Sequence, residues 1–206
     1  MNKYLYTILL IFISNLVFAQ KEKPCGMKDG LQEGTCKQFF GNGKVSSILN
    51  WKKGKREGTA SYFYENGQVK STGNFTKDKR NGEWKYFYEN GILEADEFYV
   101  FRDFAELKEG TFKKFFKDGK VSETCAYVDD KLEGNFTSYF SNGGVSQQGA
   151  YSKDKQVGDW KSFFESGKPK CESTYVNGNK EGTRICKDEK GKVVSEEIYK
   201  NGVKIK

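Results

Sequence analysis

Apolar residues in this chain come in short runs of period two, interrupted by glycine at regular intervals. GEWKYFY at Gly82–Tyr88 and GDWKSFF at Gly158–Phe164 open two such runs, and aromatic enrichment over so few residues predicts strands. Each run leads into Glu-Asn-Gly, Lys-Asp-Gly or Ser-Asn-Gly. Glycine there takes positive φ at no steric cost, which predicts a tight hairpin turn. A second run follows, as in KVSETCAY at Lys120–Tyr127, where Val121 and Tyr127 are six residues apart and so share a face. A polar loop such as VDDKLE, Val128–Glu133, leads to the next run. No helix of consequence is predicted.

The pattern is periodic. Gly34, Gly58, Gly82, Gly110, Gly134, Gly158 and Gly182 are spaced 24, 24, 28, 24, 24 and 24 residues apart. Nine residues after each stands a candidate turn glycine: Gly43, Gly67, Gly91, Gly119, Gly143, Gly167 and Gly191. Seventeen residues after each stands an aromatic: Trp51, Phe75, Tyr99, Tyr127, Tyr151, Tyr175 and Tyr199. Self-similarity at such a period marks a repeat architecture. Neighbouring aromatics such as Phe63 and Tyr64, or Phe115 and Phe116, must point to opposite sides of a strand, so both faces are expected to be partly apolar. One hairpin cannot bury that surface, and adjacent units must cover one another. The expected fold is all-β: an elongated single-layer antiparallel sheet of tandem β-hairpins, in one domain. Its seven repeats fill 34–206 behind an N-terminal half repeat at 20–33.

The unit G-x-W-x-x-[FY]-[FY]-x-N-G-x-[VL], followed by Y-x-x-[DG]-K-x-x-G, resembles the MORN repeat in its bacterial variant, also described as a YwqK-type antitoxin family. GEWKYFYENGILEADEFY from Gly82 and GDWKSFFESGKPKCESTY from Gly158 carry the resemblance best. It implies an extended hairpin sheet used as an interaction surface, and little about mechanism. The ends depart from the pattern. CGMKDGLQEG at Cys25–Gly34 is half a unit with Met27 in the aromatic position. The seventh unit puts Arg184, Lys187 and Asp188 where aromatics belong, as expected of polar caps.

Residues 1–19, with Lys3, an apolar run ending near Phe18, and Val17 and Ala19 before Gln20, read as a secretory signal peptide. The run is short for a spanning helix, so no stable transmembrane segment is expected after cleavage. The localisation expected is exported: periplasmic, outer-surface or secreted. Removing Lys3 lowers the net charge from +7 to +6, which is no nucleic-acid footprint.

All five cysteines follow the leader, and an oxidising compartment permits disulfides. Cys25 and Cys36 are centred 3.5 residues before Gly34, and Cys171 and Cys186 are centred 3.5 residues before Gly182. Residues symmetric about a turn face each other in an antiparallel ladder, so Cys25–Cys36 and Cys171–Cys186 bridges are predicted. The same rule sets Cys125 against Phe136 and leaves it a buried thiol.

The single 28-residue spacing falls in VFRDFAELKEG, Val100–Gly110. Phe101, Phe104 and Leu107, three apart, are expected on one side of a short helical turn and are the candidate partner-binding residues. Catalysis finds little support. The chain has no His, and no nucleophile or metal motif appears. The repeated Glu57, Glu109, Glu133 and Glu181 suit a structural role. NFT at Asn74 and Asn135 matches a glycosylation acceptor, but it sits at a repeat position and assigns nothing. No cofactor or metal is expected. The function expected is a non-enzymatic, exported protein-interaction scaffold in the cell envelope. An immunity or antitoxin-type protein that binds a toxin directly, and a module binding glycan or anionic lipid, are the alternatives.

Overall fold

The computed structural model describes residues 25–206; the leader expected at 1–19 lies outside them. The described residues form one open antiparallel sheet of 19 strands and contain no helix. Long strands pair with the long strands before and after them, and the short Lys79–Arg80, Ala105–Lys108 and Lys131–Leu132 pair only with the strand before them. Lys55–Phe63, for example, pairs with Val45–Lys52 on one side and Val69–Thr76 on the other. The chain is thus a continuous meander. A short strand, Gly26–Lys28, stands at one end, and Val203–Lys204 at the other.

The two kinds of connection are exchanged relative to expectation. The Asn-Gly segment is a three-residue loop. Tyr64 N–H donates to Gln68 O (2.8 Å), Gly67 N–H donates to Tyr64 O (2.9 Å), and only Gly67 has positive φ (95°). This is a type I turn closed by a glycine bulge. The seven turn glycines all share that conformation. The polar junction holds the tight two-residue turn: Lys77 and Asp78 have φ of 49° and 69° between the paired Thr76 and Lys79. Two consecutive positive φ values define a type I′ turn, whose twist matches that of the strands. The same pair of values recurs at Asp129–Asp130 and Lys153–Asp154.

Positive φ costs a non-glycine residue about 1–2 kcal/mol, and hydrogen bonds between units offset it. The Glu57 carboxylate accepts the Lys77 N–H (2.9 Å), and Asp78 accepts the Arg56 N–H (2.8 Å). Glu109, Glu133 and Glu181 likewise accept the N–H of Asp129, Lys153 and Asn201. The repeated carboxylates therefore latch neighbouring junction turns together, except where Asn81 and Val157 take their place. On the opposite edge, Asn66 Oδ1 closes its own loop at Gln68 N–H (2.8 Å), while its amide donates to Glu89 O (2.9 Å). Tyr64 and Tyr88 hydroxyls donate to Phe87 O and Phe115 O.

Burial is one-sided, contrary to the expectation of two partly apolar faces. Leu49, Ala60, Phe75, Trp84, Tyr99, Phe112 and Cys125 form a continuous core. Direct pairings such as Leu49↔Ala60 and Phe112↔Cys125 put them on one face. The other face is largely polar, with contacts such as Thr35 Oγ1 to Asn50 and Thr174 Oγ1 to Asp159. Large and small residues alternate across the unit boundaries. Trp84 lies against Gly73, where an added Cβ would come within 2.3 Å of its ring, and Trp160 lies against Gly149 in the same way. The two indoles donate to Asn74 O and Ala150 O.

Candidate functional site

The irregular unit builds the site. The four extra residues lengthen the junction hairpin by two residues on each arm. Leu93–Arg102 pairs with Ala105–Lys108, and the turn moves out to Asp103–Phe104. The predicted helical turn is therefore a hairpin extension: Phe101 and Leu107 lie on opposite arms of the ladder, and the Phe101 N–H donates to Asn81 Oδ1 at 3.0 Å. The tip projects about 7 Å past a regular junction turn, at two strand residues. Phe104 takes φ 61° and is 80% exposed. The Phe101 and Phe104 rings meet edge to face at 6.3 Å, and the Lys77 ammonium lies over both, at 6.0 and 5.6 Å. Leu107 does not join them. It pairs with Val100, whereas Phe101 pairs with Glu106, and adjacent rungs point to opposite faces. Arg102 forms an ion pair with Asp129 of the next junction.

Beneath this hairpin lies a charged and aromatic cluster that sequence reasoning missed. The residue two before each repeat glycine is Arg56, Arg80, Lys108 or Lys180 in four units. Each extends over an aromatic one unit ahead: Arg56 over Phe75 (4.1 Å), Arg80 over Tyr99 (3.8 Å), Lys108 over Tyr127 (4.8 Å) and Lys180 over Tyr199 (4.8 Å). These stems help cover the aromatic face of a single-layer sheet. The regular spacing of cations before glycine was the available signal.

Arg80 has the most partners. Its backbone N–H and Nε donate to Glu106, and Nη1 donates to Tyr86 Oη at 2.6 Å. Tyr99 Oη donates to Glu97 at 2.6 Å. Burial, the largest single influence, opposes the charge on Arg80, but the Glu106 hydrogen bond together with Tyr86 and Tyr99 outweighs it and raises the pKa. Burial, then the Glu97 bond, pushes the Tyr99 phenol well above its ordinary range, and burial raises Tyr86. Arg80, Tyr86, Glu97 and Tyr99, with Tyr88, Lys108 and Lys114, line an open cleft of about 540 Å³. Lys114 is held by Glu123 at 2.8 Å. Within the cleft Arg80 donates to Tyr86 and Tyr99 donates to Glu97, which lies 3.8 Å from the Arg80 guanidinium.

Both predicted cysteine pairs are brought together. Cys25 bonds to Cys36 and Cys171 to Cys186, with Cα–Cα distances of 4.7 and 4.1 Å. The reason differs from simple turn symmetry. The junction turn is centred at Asn177–Gly178, and Thr174 pairs with Glu181; a bulge then shifts the register so that Cys171 meets Cys186. Cys125 is a buried free thiol, and the register Thr124↔Thr137 carries it against Phe136. Burial raises its pKa. In the last unit Arg184 replaces the core aromatic and pairs with Glu197 at 2.9 Å. Glu197 also accepts from Lys204 and Tyr199, and these bonds, Lys204 first, lower its pKa to about 2.

A family model described as MORN repeat variant matches six stretches: 32–53, 56–77, 80–100, 108–129, 156–177 and 180–201. The chain belongs to this family. The hairpin of Gly134–Tyr139 and Val145–Ser152 lies between the fourth and fifth stretches and has the same pairing, so the MORN array has a further structural copy. No curated protein matches the chain. A solved structure described as "Crystal structure of GtfA/B complex bound to UDP and GlcNAc" is similar at 13% identity with a TM-score of 0.24. The match covers 59% of this MORN chain and 23% of that one, so this chain spans under a quarter of that protein's length. At that score the likeness carries no argument.

Proposed function

We propose that this chain is a non-enzymatic binding module that works outside the cytoplasm and holds a protein partner at the Val100–Lys108 hairpin. MORN repeats commonly serve as binding or scaffold modules. The observation that carries the reading is Phe104. A bulky ring in left-handed conformation at the tip of an extended hairpin, 80% exposed, costs backbone strain and returns little burial. Such strain is retained where a contact uses it. The two disulfide pairings suit an oxidising compartment, which supports export. A toxin-neutralising role would use the same surface with a different partner.

A photo-crosslinking amino acid at position 104, compared with one at position 154 in a regular junction turn, tests this in intact cells. A discrete crosslinked species from position 104 alone is expected, and its identity separates scaffold from immunity protein. Identical crosslink patterns from both positions would overturn the proposal.

A further inference from the structure

Five lysines crowd the turn edge on the N-terminal side of the extended hairpin. Lys52, Lys53 and Lys55 surround one junction turn, and Lys77 and Lys79 flank the next; all five are exposed. Among the described residues none has an ion-pair partner. Most acids of the same edge are already committed to the latches. Glu33 accepts the Lys53 N–H, Glu57 accepts that of Lys77, Asp78 holds Arg56, and Glu106 holds Arg80. Asp29 and Asp103, the carboxylates of this edge outside the latches, stand two against five ammonium groups.

We propose that this row binds an acidic, extended segment of a partner protein, with Phe101 and Phe104 as the apolar stop at one end. The inference rests on the reading of the hairpin as a contact surface and adds the partner's chemistry. Successive junction turns are two strands apart, about 9.6 Å. The three turns at Lys53–Gly54, Lys77–Asp78 and Asp103–Phe104 thus span about 19 Å, the length of roughly six residues of extended peptide. The Lys77 ammonium over both rings joins the charged row to the apolar stop. The tip argues for protein over an anionic membrane. Asp103 stands beside Phe104 at the apex, and Asp129 pairs with Arg102 just behind it. Asp129 is matched by Arg102, so Asp103 is the negative charge that an inserted ring would carry into the headgroups ahead of the lysines.

The test uses a fluorescein-labelled oligoglutamate peptide carrying one leucine, followed by anisotropy. Its oligoglutamine counterpart and phosphatidylserine vesicles are the comparison arms. Changing Lys53, Lys55, Lys77 and Lys79 together to Gln should weaken the acidic peptide at least about tenfold. The charge-matched change of Lys44, Lys117, Lys190 and Lys192 to Gln, at the opposite edge, should leave binding within about twofold. Binding should also weaken as salt rises. The proposal is overturned if both variants lose affinity equally, if oligoglutamine binds as well, or if only the vesicles bind. Failure of the acidic peptide while position 104 still crosslinks would remove the acidic partner and leave the contact surface standing. Loss of both would remove both.

Discussion

The Arg80 guanidinium lies 3.8 Å from the centre of the Tyr99 ring, so a cation just before one unit roofs the aromatic that unit carries seventeen residues after its glycine. The same guanidinium holds Glu106 at 2.7 Å. Arg80→Met keeps the aliphatic stem but leaves Glu106 and Glu97 with an unmatched partly buried charge. The expected loss is about 2 kcal/mol. Arg56→Met, whose partner Asp78 is more exposed, should cost under about 1 kcal/mol. Urea midpoints at unchanged m-value give the comparison.

Alkaline sensitivity follows from the buried phenols. Tyr99 is raised well above its usual value of 10.0, chiefly by burial, and burial pushes Tyr127 up to about 12. Below pH 10 both states keep these protons and the contribution is complete. Above it the unfolded chain ionises first and binds fewer protons than the folded one, so stability falls as pH rises. Melting temperatures should drop between pH 10 and 12, and Tyr99→Phe should flatten that drop. An unchanged slope in Tyr99→Phe would refute the assignment.

Gly73 sits under the Trp84 ring with no room for a methyl group. Gly73→Ala should therefore destabilise by about 1–3 kcal/mol through overpacking. The same change at Gly41, where an added Cβ meets nothing within 4 Å, should be nearly silent. Thermal melts of the two variants decide it.

The repeat and the paired cysteines were legible because each depends on spacing. The turn types were not. Lys77 and Asp78 adopt positive φ without the glycine that would announce it, held there by a carboxylate twenty residues away in the preceding unit. Phe101, Phe104 and Leu107 read as a helical face because spacing alone cannot separate one turn of helix from two strand arms joined by a tight turn. The size match between Gly73 and Trp84 was hidden because the two residues meet only across a unit boundary.

Phe104→Gly separates contact from architecture. Glycine relieves the left-handed strain, so stability should rise by about 1 kcal/mol. Recovery of the partner crosslinked through a probe at Lys77 should fall at the same time. A stabilised variant that still captures its partner would assign the ring no role in contact.

Reduction should cost about 3 kcal/mol for each of the two disulfides, from loop-closure entropy over separations of 11 and 15 residues. Non-reducing against reducing denaturation curves, with thiol counts by mass spectrometry, measure it.

A linear array held only by neighbour contacts ordinarily peels from its ends, because a terminal unit has half the neighbours of an internal one. Here the first junction and the one before the last are both covalently stapled. Fraying is blocked at the N-terminal end, and at the other end it stops once Val193–Lys200 and Val203–Lys204 have peeled from Asn179–Lys187. Under tension the molecule would open first at its C-terminal strands, while the lengthened hairpin stays between two covalent stops.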